Sequence, residues 1–180
     1  MRRVIEIERR FLVDVVPEPL PRPCRIVQGY LMTTPAAVRV RSADGVYTLT
    51  IKSGSGLRRT EIERTLAAAE FDALWEVATD LRIEKRRHRI ELGHGAVAEL
   101  DLFDGDLAGR RLVEVEFDDE SAAASFEPPE WFGPEVTTDP RFTNAALAEH
   151  GWPPLRSGRD SAGPAPAGTR PGHSPPALRR

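Results

Sequence analysis

The stretch Val4–Val13 constrains the fold more than any other feature, because apolar and charged residues alternate along it. The apolar positions fall on one face of an extended chain, while Glu6, Glu8 and Arg10 fall on the other face. A period of two is typical of a β-strand whose two faces meet different surroundings. Strands are usually poor in charged residues, so a face of charges at mid-strand needs its own explanation.

The same alternation returns in later stretches, where charged residues again share one face of each stretch. These positions are Arg39, Arg41, Lys52, Glu61, Glu63, Lys85, Arg87, Glu99, Asp101, Glu114 and Glu116. Many of them form same-sign pairs two residues apart. Like charges at that spacing repel each other unless a counter-ion lies between them. The pattern therefore predicts charged faces that meet ions of opposite sign.

The hydrophobic pattern along the whole chain predicts eight strands and three short helices. The predicted strands are Val4–Val13, Arg25–Thr34, Ala37–Ser42, Val46–Ser53, Leu57–Leu66, Arg82–Leu92, Ala96–Phe103 and Arg111–Asp118. The predicted helices are Ala67–Asp80, Asp118–Phe126 and Thr143–His150. Short glycine-containing turns join the third, fourth and fifth strands, which indicates an antiparallel meander.

The charged faces have to point either inward or outward. Charges of both signs lie at mid-strand, and Phe71, Leu74 and Trp75 give one helix an apolar face that needs an apolar sheet surface. We therefore predict a mainly β (α+β) fold: a closed eight-stranded antiparallel β-barrel with a charged interior and helices packed outside. The alternative is an open sheet with one solvated charged face, a common antiparallel arrangement.

Composition limits the organisation of the 180-residue chain. We expect one domain at residues 1–154 and a disordered tail at 155–180, which is rich in Pro, Gly and Arg. The net charge of −3 is not that of a nucleic-acid-binding protein. Since neither a signal segment nor a long apolar run is apparent, we expect no membrane contact, a cytoplasmic location, and a monomer or homodimer.

His88 and Cys24 show no pattern of catalysis or metal binding. Alternation places His88 on the outer face of its strand, where we expect it at the protein surface. Cys24 is the one cysteine of the chain, which excludes an internal disulfide, and no histidine lies near it in sequence. None of the charged positions given above is a Ser, Cys or His, so that set predicts no nucleophile.

A cavity lined by these charged faces would suit a polyphosphate together with a divalent metal ion. Arginine grips phosphate oxygens bidentately, and several basic side chains together match several phosphates in a row. Paired carboxylates suit Mg²⁺ or Mn²⁺, which prefer oxygen ligands and bridge to substrate phosphates. Few histidines and one cysteine argue against zinc.

The ordered set of segments resembles the CYTH superfamily, the triphosphate tunnel metalloenzymes, over about residues 2–154. The family opens with Glu-x-Glu-x-Lys, and this chain has Glu6-Ile7-Glu8-Arg9-Arg10, with arginine at the last position. The further matching segments are Gln28-Gly29-Tyr30-Leu31, Val38–Arg41, Thr48–Lys52, Glu61–Glu63, Lys85–Arg87, Glu99–Phe103, Glu114–Phe117, Glu135–Thr137 and Arg141–Asn144.

The resemblance implies metal-dependent hydrolysis, or less often cyclisation, of a triphosphate inside a charged tunnel. It implies catalytic roles for Glu6, Glu8 and Arg10, and cofactors Mg²⁺ or Mn²⁺. The implied metal-binding residues are Glu6, Glu8, Glu61, Glu63, Asp101, Glu114 and Glu116. The phosphate-binding candidates are Arg39, Arg41, Lys52, Lys85 and Arg87, together with Arg59, which shares the face of Glu61 by strand parity.

The substrate implied by the resemblance is a small-molecule triphosphate. The chain is most similar to small bacterial inorganic triphosphatases. The alternatives are a nucleoside or thiamine triphosphatase, a class IV-type adenylate cyclase, and a polyphosphate-binding module without turnover. Arg10 departs from the family pattern, which has a lysine at this position. The difference matters because an arginine is larger than a lysine and stays protonated.

Overall fold

The computed structural model describes residues 2–54, 57–78, 80–93 and 95–154. The tail predicted at 155–180 lies outside the described residues, so its predicted disorder stays a prediction. Within the described part of the chain, no helix is long and apolar enough to span a membrane.

Eight antiparallel strands close into a barrel in the order β1-β5-β4-β3-β2-β6-β7-β8. The strands are β1 Arg2–Leu12, β2 Cys24–Met32, β3 Ala37–Ala43, β4 Val46–Ser53, β5 Arg58–Thr65, β6 Arg82–Gly93, β7 Ala96–Phe103 and β8 Arg111–Phe117. Closure comes from the first strand, which pairs with β5 on one side and with β8 on the other. The predicted closed barrel is confirmed, and the open-sheet alternative is wrong.

Three short helices surround the barrel: α1 Ala68–Val77, α2 Glu120–Ser125 and α3 Asn144–His150. Phe71 of α1 packs against Val40 and Leu66, on the apolar outer face of the sheet. At Gly29 of β2 the contact is so close that an added Cβ would lie 2.7 Å from the Cβ of Ala78. The predicted arrangement, with the apolar strand faces turned outward to the helices, is therefore confirmed.

The helices are shorter than predicted, because polar groups end or begin them. Arg82 donates to the carbonyl oxygens of Ala78 at 2.6 Å and Trp75 at 2.9 Å, close to the C-terminus of α1. Asp119 accepts from the amide of Ala122 at 2.8 Å and caps α2. The predicted bounds Ala67–Asp80 and Asp118–Phe126 thus extended into capping residues and turns.

One end of the barrel interior is apolar, which the sequence analysis did not predict. Leu12 and Leu112 pair across β1 and β8, and each continues the charged face of its own strand. Together with Ile83 and Phe103 they pack against Leu147 of α3. The charged lining therefore covers only part of the interior, and α3 lies over the apolar end.

The prediction that His88 lies at the surface is wrong, although its strand face is the predicted outer one. Its side chain is buried, with 5% exposed, and its Nδ1 lies 2.6 Å from the carbonyl oxygen of Pro21. The proline-rich connection between β1 and β2 covers this part of the barrel. Strand parity indicates the face of a sheet but not whether a loop lies over it.

Replacing Leu147 by alanine should destabilise the protein by about 2 to 4 kcal/mol, because it leaves a cavity in the apolar end of the barrel. Urea unfolding followed by circular dichroism measures this change. Val77→Ala is the matched control, since Val77 is 68% exposed and should change stability by less than about 0.5 kcal/mol. Equal effects of the two substitutions would contradict the packing of α3 described here.

Candidate active site

The charged part of the interior surrounds a cavity of about 290 Å³. Its described charged lining consists of Glu6, Glu8, Arg10, Arg39, Arg41, Lys52, Arg59, Glu61, Arg87, Glu99, Glu114 and Glu116. The other lining residues are mostly small: Tyr30, Thr33, Pro35, Ala37, Gly54, Thr143, Asn144 and Ala145. Residues from most strands thus converge on one cavity because period-two alternation turns their charged faces inward.

A second, acidic opening adjoins the cavity and shares three of its carboxylates. Its described lining includes Glu6, Glu61, Glu63, Glu116 and Asp118. No Lys or Arg is among the described residues that line it. This opening therefore attracts cations and repels phosphates.

Three carboxylates come together where the cavity and the acidic opening meet. One oxygen from each of Glu6, Glu8 and Glu116 lies within 4.8 Å of the others. Burial first, and then repulsion from Glu99 and Glu6, raises the pKa of Glu116 to about 7. Converging carboxylate oxygens fit the preference of Mg²⁺ and Mn²⁺ for hard ligands, so these residues suit a divalent ion.

Lys52 and Arg59 are paired with the acidic side of the cavity. The ammonium of Lys52 lies 2.6 Å from Glu6 Oε1 and 2.7 Å from Glu61 Oε2. Arg59 pairs with Glu6 at 3.3 Å and with Glu8. Burial opposes ionisation of Glu6, but Lys52 and Arg59 outweigh it and lower the pKa of that carboxyl.

Arg10 links two carboxylates that come from neighbouring strands. Its Nε donates to Glu114 Oε1 at 2.9 Å, and its Nη2 donates to Glu8. Against the effect of burial, Arg10 and Arg87 hold the pKa of Glu114 well below its usual range. Burial and the neighbouring Glu114 raise the pKa of Glu8. Arginine at this position therefore acts as a fixed cation between Glu8 and Glu114.

Arg87 and Lys85 share the buried carboxylate of Asp101. Arg87 donates to its two oxygens at 2.7 and 2.6 Å, and also to Glu114 at 2.9 Å. The ammonium of Lys85 lies 2.5 Å from Asp101 Oδ2 and 3.1 Å from Asn144 Oδ1. Burial lowers the pKa of Lys85 to about 7, while Asp101 acts in the opposite direction.

Arg39 and Arg41 have no carboxylate partner within 4.0 Å among the described residues. Arg41 donates to the neutral Gln28 Oε1 at 3.1 and 3.3 Å. Arg39 is only 6% exposed, and its Nε lacks a hydrogen-bond partner. Burial, together with repulsion from Arg39 and Arg87, lowers the pKa of Arg41 to about 10. Two adjacent guanidinium groups thus lie in the wall without compensating charge.

Most of the charged residues predicted from the sequence are brought together, but three are placed differently. Lys85 and Asp101 lie behind the cavity wall, where neither side chain has exposed surface. Glu63 lies at the acidic opening and accepts from Thr50 at 3.3 Å. Because alternation indicates direction but not depth, it could not separate these residues from those that reach the cavity.

Two lining residues, Glu99 and Asn144, were not among the predicted site residues. Glu99 and Asp101 form a same-sign pair two residues apart, so the alternation that indicated Asp101 indicated Glu99 equally. Asn144 lies in α3, which follows a long irregular segment, and no sequence pattern indicates its place beside β6. The small rim residues Thr33, Pro35 and Gly54 likewise come from turns.

A closed antiparallel barrel with buried cations and carboxylates facing one cavity defines a charge-lined tunnel protein. The CYTH domain model matches residues 4–130 of the chain, and the chain belongs to this family. It is 43% identical to the inorganic triphosphatase of Nitrosomonas europaea over 145 residues, 79% of this chain and 96% of that protein.

A further relative and a solved structure agree with this assignment. The chain is 34% identical over 149 residues to the inorganic triphosphatase of Acetivibrio thermocellus, which covers 81% of this chain and 94% of that protein. A crystal structure of an inorganic triphosphatase superposes with a TM-score of 0.61 at 41% identity, covering 79% of this chain and 93% of that chain. The resemblance found in the sequence is thereby confirmed.

Replacing Glu116 by glutamine should stabilise the metal-free protein at alkaline pH. The folded-state pKa of about 7 lies above the usual 4.5, so ionising this carboxyl above pH 7 disfavours the folded state. The side chain is more than a third exposed, and solvent screening limits the gain to about 1 kcal/mol. The gain should shrink as pH falls from 7 and vanish below 4.5.

Thermal unfolding of the metal-free protein at pH 8.5 and pH 4 measures this difference. Glu127→Gln is the matched control, because Glu127 is exposed and lies outside the carboxylate group. A Glu116→Gln gain that is the same at both pH values would show that the carboxyl titrates normally.

Proposed function

We propose that the chain is a metal-dependent inorganic triphosphatase that hydrolyses tripolyphosphate by attack of water on a terminal phosphorus. The observation that carries this proposal is a pair of arginines, the buried Arg39 and the half-buried Arg41, that face the cavity without a carboxylate partner among the described residues. A buried charge without a counter-charge is costly, so such a pair is kept where a bound anion compensates it.

The chain's own residues divide the work of binding a triphosphate. Arg39 and Arg41 bind phosphate oxygens, and Lys52, Arg59 and Arg87 add positive charge along the cavity. We propose that Glu6, Glu8 and Glu116 hold Mg²⁺ or Mn²⁺, which supplies charge neutralisation and activation of a water. Hydrolysis forms one bond from water to the terminal phosphorus, breaks the phosphoanhydride bond and releases phosphate and pyrophosphate.

Arg10 orients the carboxylates rather than the substrate in this proposal. Its guanidinium is bonded to Glu8 and Glu114, so the oxygens of both carboxylates are held in place before substrate binds. Preorganised charges cost little rearrangement at the moment of reaction. The remaining predicted metal residues are supporting acids in this scheme: Glu61 and Glu63 at the acidic opening, Glu114 beside Arg10, and Asp101 behind the wall.

The lining of the cavity favours an inorganic triphosphate over a nucleotide or thiamine triphosphate. The described rim consists of small residues such as Thr33, Pro35, Ala37 and Gly54. Tyr30 is the one aromatic residue in the described lining, and it is 4% exposed. A base or thiazole ring would lack an accessible surface for stacking.

The proposal also retains three expectations from the sequence: a domain at residues 1–154, a cytoplasmic location, and a monomer or homodimer.

Phosphate release from tripolyphosphate, ATP, thiamine triphosphate and pyrophosphate, each with Mg²⁺, Mn²⁺ or chelator, tests the proposal. Turnover of tripolyphosphate that depends on metal and clearly exceeds that of the other substrates is expected. Cyclic AMP formation in the ATP samples would instead indicate a cyclase. Tight binding of tripolyphosphate without turnover under any condition would indicate a binding module.

Replacing Arg39 by methionine should lower the affinity for tripolyphosphate without lowering the stability of the free protein. The substitution removes an uncompensated buried charge, so the free protein should be as stable as the wild type or more stable. Tripolyphosphate affinity should fall at least about tenfold, because a charge-assisted hydrogen bond is lost. Thermal unfolding with and without tripolyphosphate measures both quantities.

Arg64→Met is the control for this experiment, because Arg64 is exposed and pairs with Glu70 outside the barrel. It should leave tripolyphosphate affinity unchanged. If Arg39→Met bound tripolyphosphate like the wild type, the pair Arg39 and Arg41 would not be the phosphate site.

Replacing Arg10 by lysine tests whether arginine at this position is compatible with catalysis. A lysine has fewer donors and cannot hold Glu8 and Glu114 in the same two-sided geometry. We expect the tripolyphosphatase rate to change by less than about tenfold, since the positive charge is retained. A rise of several orders of magnitude would show that the natural protein is not a competent enzyme.

A further inference from the structure

Asn144 lines the cavity, whereas Lys85, a predicted phosphate-binding residue, does not. The side chain of Lys85 has no exposed surface, and its ammonium lies between Asp101 Oδ2 at 2.5 Å and Asn144 Oδ1 at 3.1 Å. Asn144 is itself part of the cavity lining. A neutral amide therefore faces the cavity in front of the buried lysine.

The contact with Lys85 determines which way the amide of Asn144 is turned. An ammonium group only donates hydrogen bonds, so the oxygen of the amide has to face Lys85. The Nδ2 group is then turned away from the lysine. Among the described residues, no acceptor is bonded to Nδ2, and this atom is not among the buried unsatisfied ones. Asn144 thus presents two free N–H donors next to the cavity.

The position of Asn144 is held by the packing of α3. Thr143 Oγ1 accepts from the amide of Ala146 at 3.2 Å, which fixes the first turn of the helix. Leu147 and Phe142 pack into the apolar end of the barrel on either side of Asn144 in sequence. An amide donor held by a packed helix and by an ion-paired lysine is preorganised for a ligand.

We propose that Asn144 is a phosphate-binding residue of the tunnel, and that Lys85 is the positioning residue that orients it. The ligand would be a non-bridging oxygen of a phosphate group, accepting a hydrogen bond from Nδ2. This inference rests on the proposed function, because it adds a neutral contact to the same triphosphate site. It also assigns Lys85, which the sequence analysis predicted to bind phosphate directly, an indirect role.

Asn144→Asp distinguishes the role of the amide oxygen from that of the NH₂ group. Aspartate keeps an oxygen for Lys85 but replaces the donor group by a second oxygen that repels phosphate. KM for tripolyphosphate should rise at least about tenfold with kcat changed far less, the result of losing an interaction present in ground and transition states alike. Asn144→Leu should raise KM as well. Glu149→Gln on the exposed side of the same helix should behave as the wild type.

An unchanged KM in Asn144→Asp would overturn the proposal, since it would show that Asn144 serves Lys85 and not the substrate. Binding of tripolyphosphate by the wild type, measured by calorimetry with chelator, distinguishes this failure from failure of the proposed function. If the wild type binds tripolyphosphate and Asn144→Asp binds it equally well, only the role of Asn144 is wrong. If the wild type neither binds nor hydrolyses it, both proposals are wrong.

A measurement on the wild type keeps the proposal testable if the Asn144 variants do not fold. The side-chain NH₂ signals of asparagine appear in a ¹⁵N correlation spectrum, and a sample with asparagine alone labelled shows those of a single residue. Asn144 is the single asparagine of the chain, so every asparagine NH₂ signal in that spectrum belongs to it. Its signals should shift on addition of tripolyphosphate, and unshifted signals at saturation would overturn the proposal.

Discussion

Burial of many charges inside one closed barrel is the constraint on which the rest of this structure depends. Removing a charge from water costs several kcal/mol unless a partner compensates it. Most cations of the interior meet that requirement with nearby carboxylates, as Lys52 does with Glu6 and Glu61. Arg39 and Arg41 do not, among the described residues, and this is the observation that supports the anion site proposed above.

The rest of the fold keeps this charged interior intact. Because the interior is polar, the apolar residues that stabilise the protein lie on the outer faces of the strands, under α1 and α2, and at the end covered by α3. The outer face of β1 also holds the later chain, since Arg9 donates to Glu135 at 2.9 and 2.7 Å. The hydrophobic cores therefore surround the site instead of filling the barrel.

Sequence periodicity was sufficient to predict which side chains face inward. The inward positions of Arg39, Arg59 and Glu114 follow from alternation alone, since every second residue of a strand shares a face. The barrel itself followed because charged faces on eight strands need a common interior and apolar faces need helices. The resemblance to the CYTH family added the activity, which alternation does not indicate.

Alternation could not predict how deeply a side chain is buried, whether a loop covers it, or which distant segments of the chain contact each other. Lys85 and Arg87 share one face, yet Arg87 lines the cavity and Lys85 lies behind it. Burial of His88 depends on a loop that precedes it by many residues. The contact of Asn144 with Lys85 joins two elements far apart in sequence, and a pattern within a single strand carries no information about it.

A crystal structure of the protein with tripolyphosphate bound, in the presence of chelator, tests the central claim most directly. The account predicts an extended anion in the cavity, with phosphate oxygens within hydrogen-bonding distance of Arg39 and Arg41. The carboxylates of Glu6, Glu8 and Glu116 should keep their close arrangement beside one end of the anion. Tripolyphosphate bound outside the barrel, or a cavity in which both arginines have turned onto carboxylates, would contradict it.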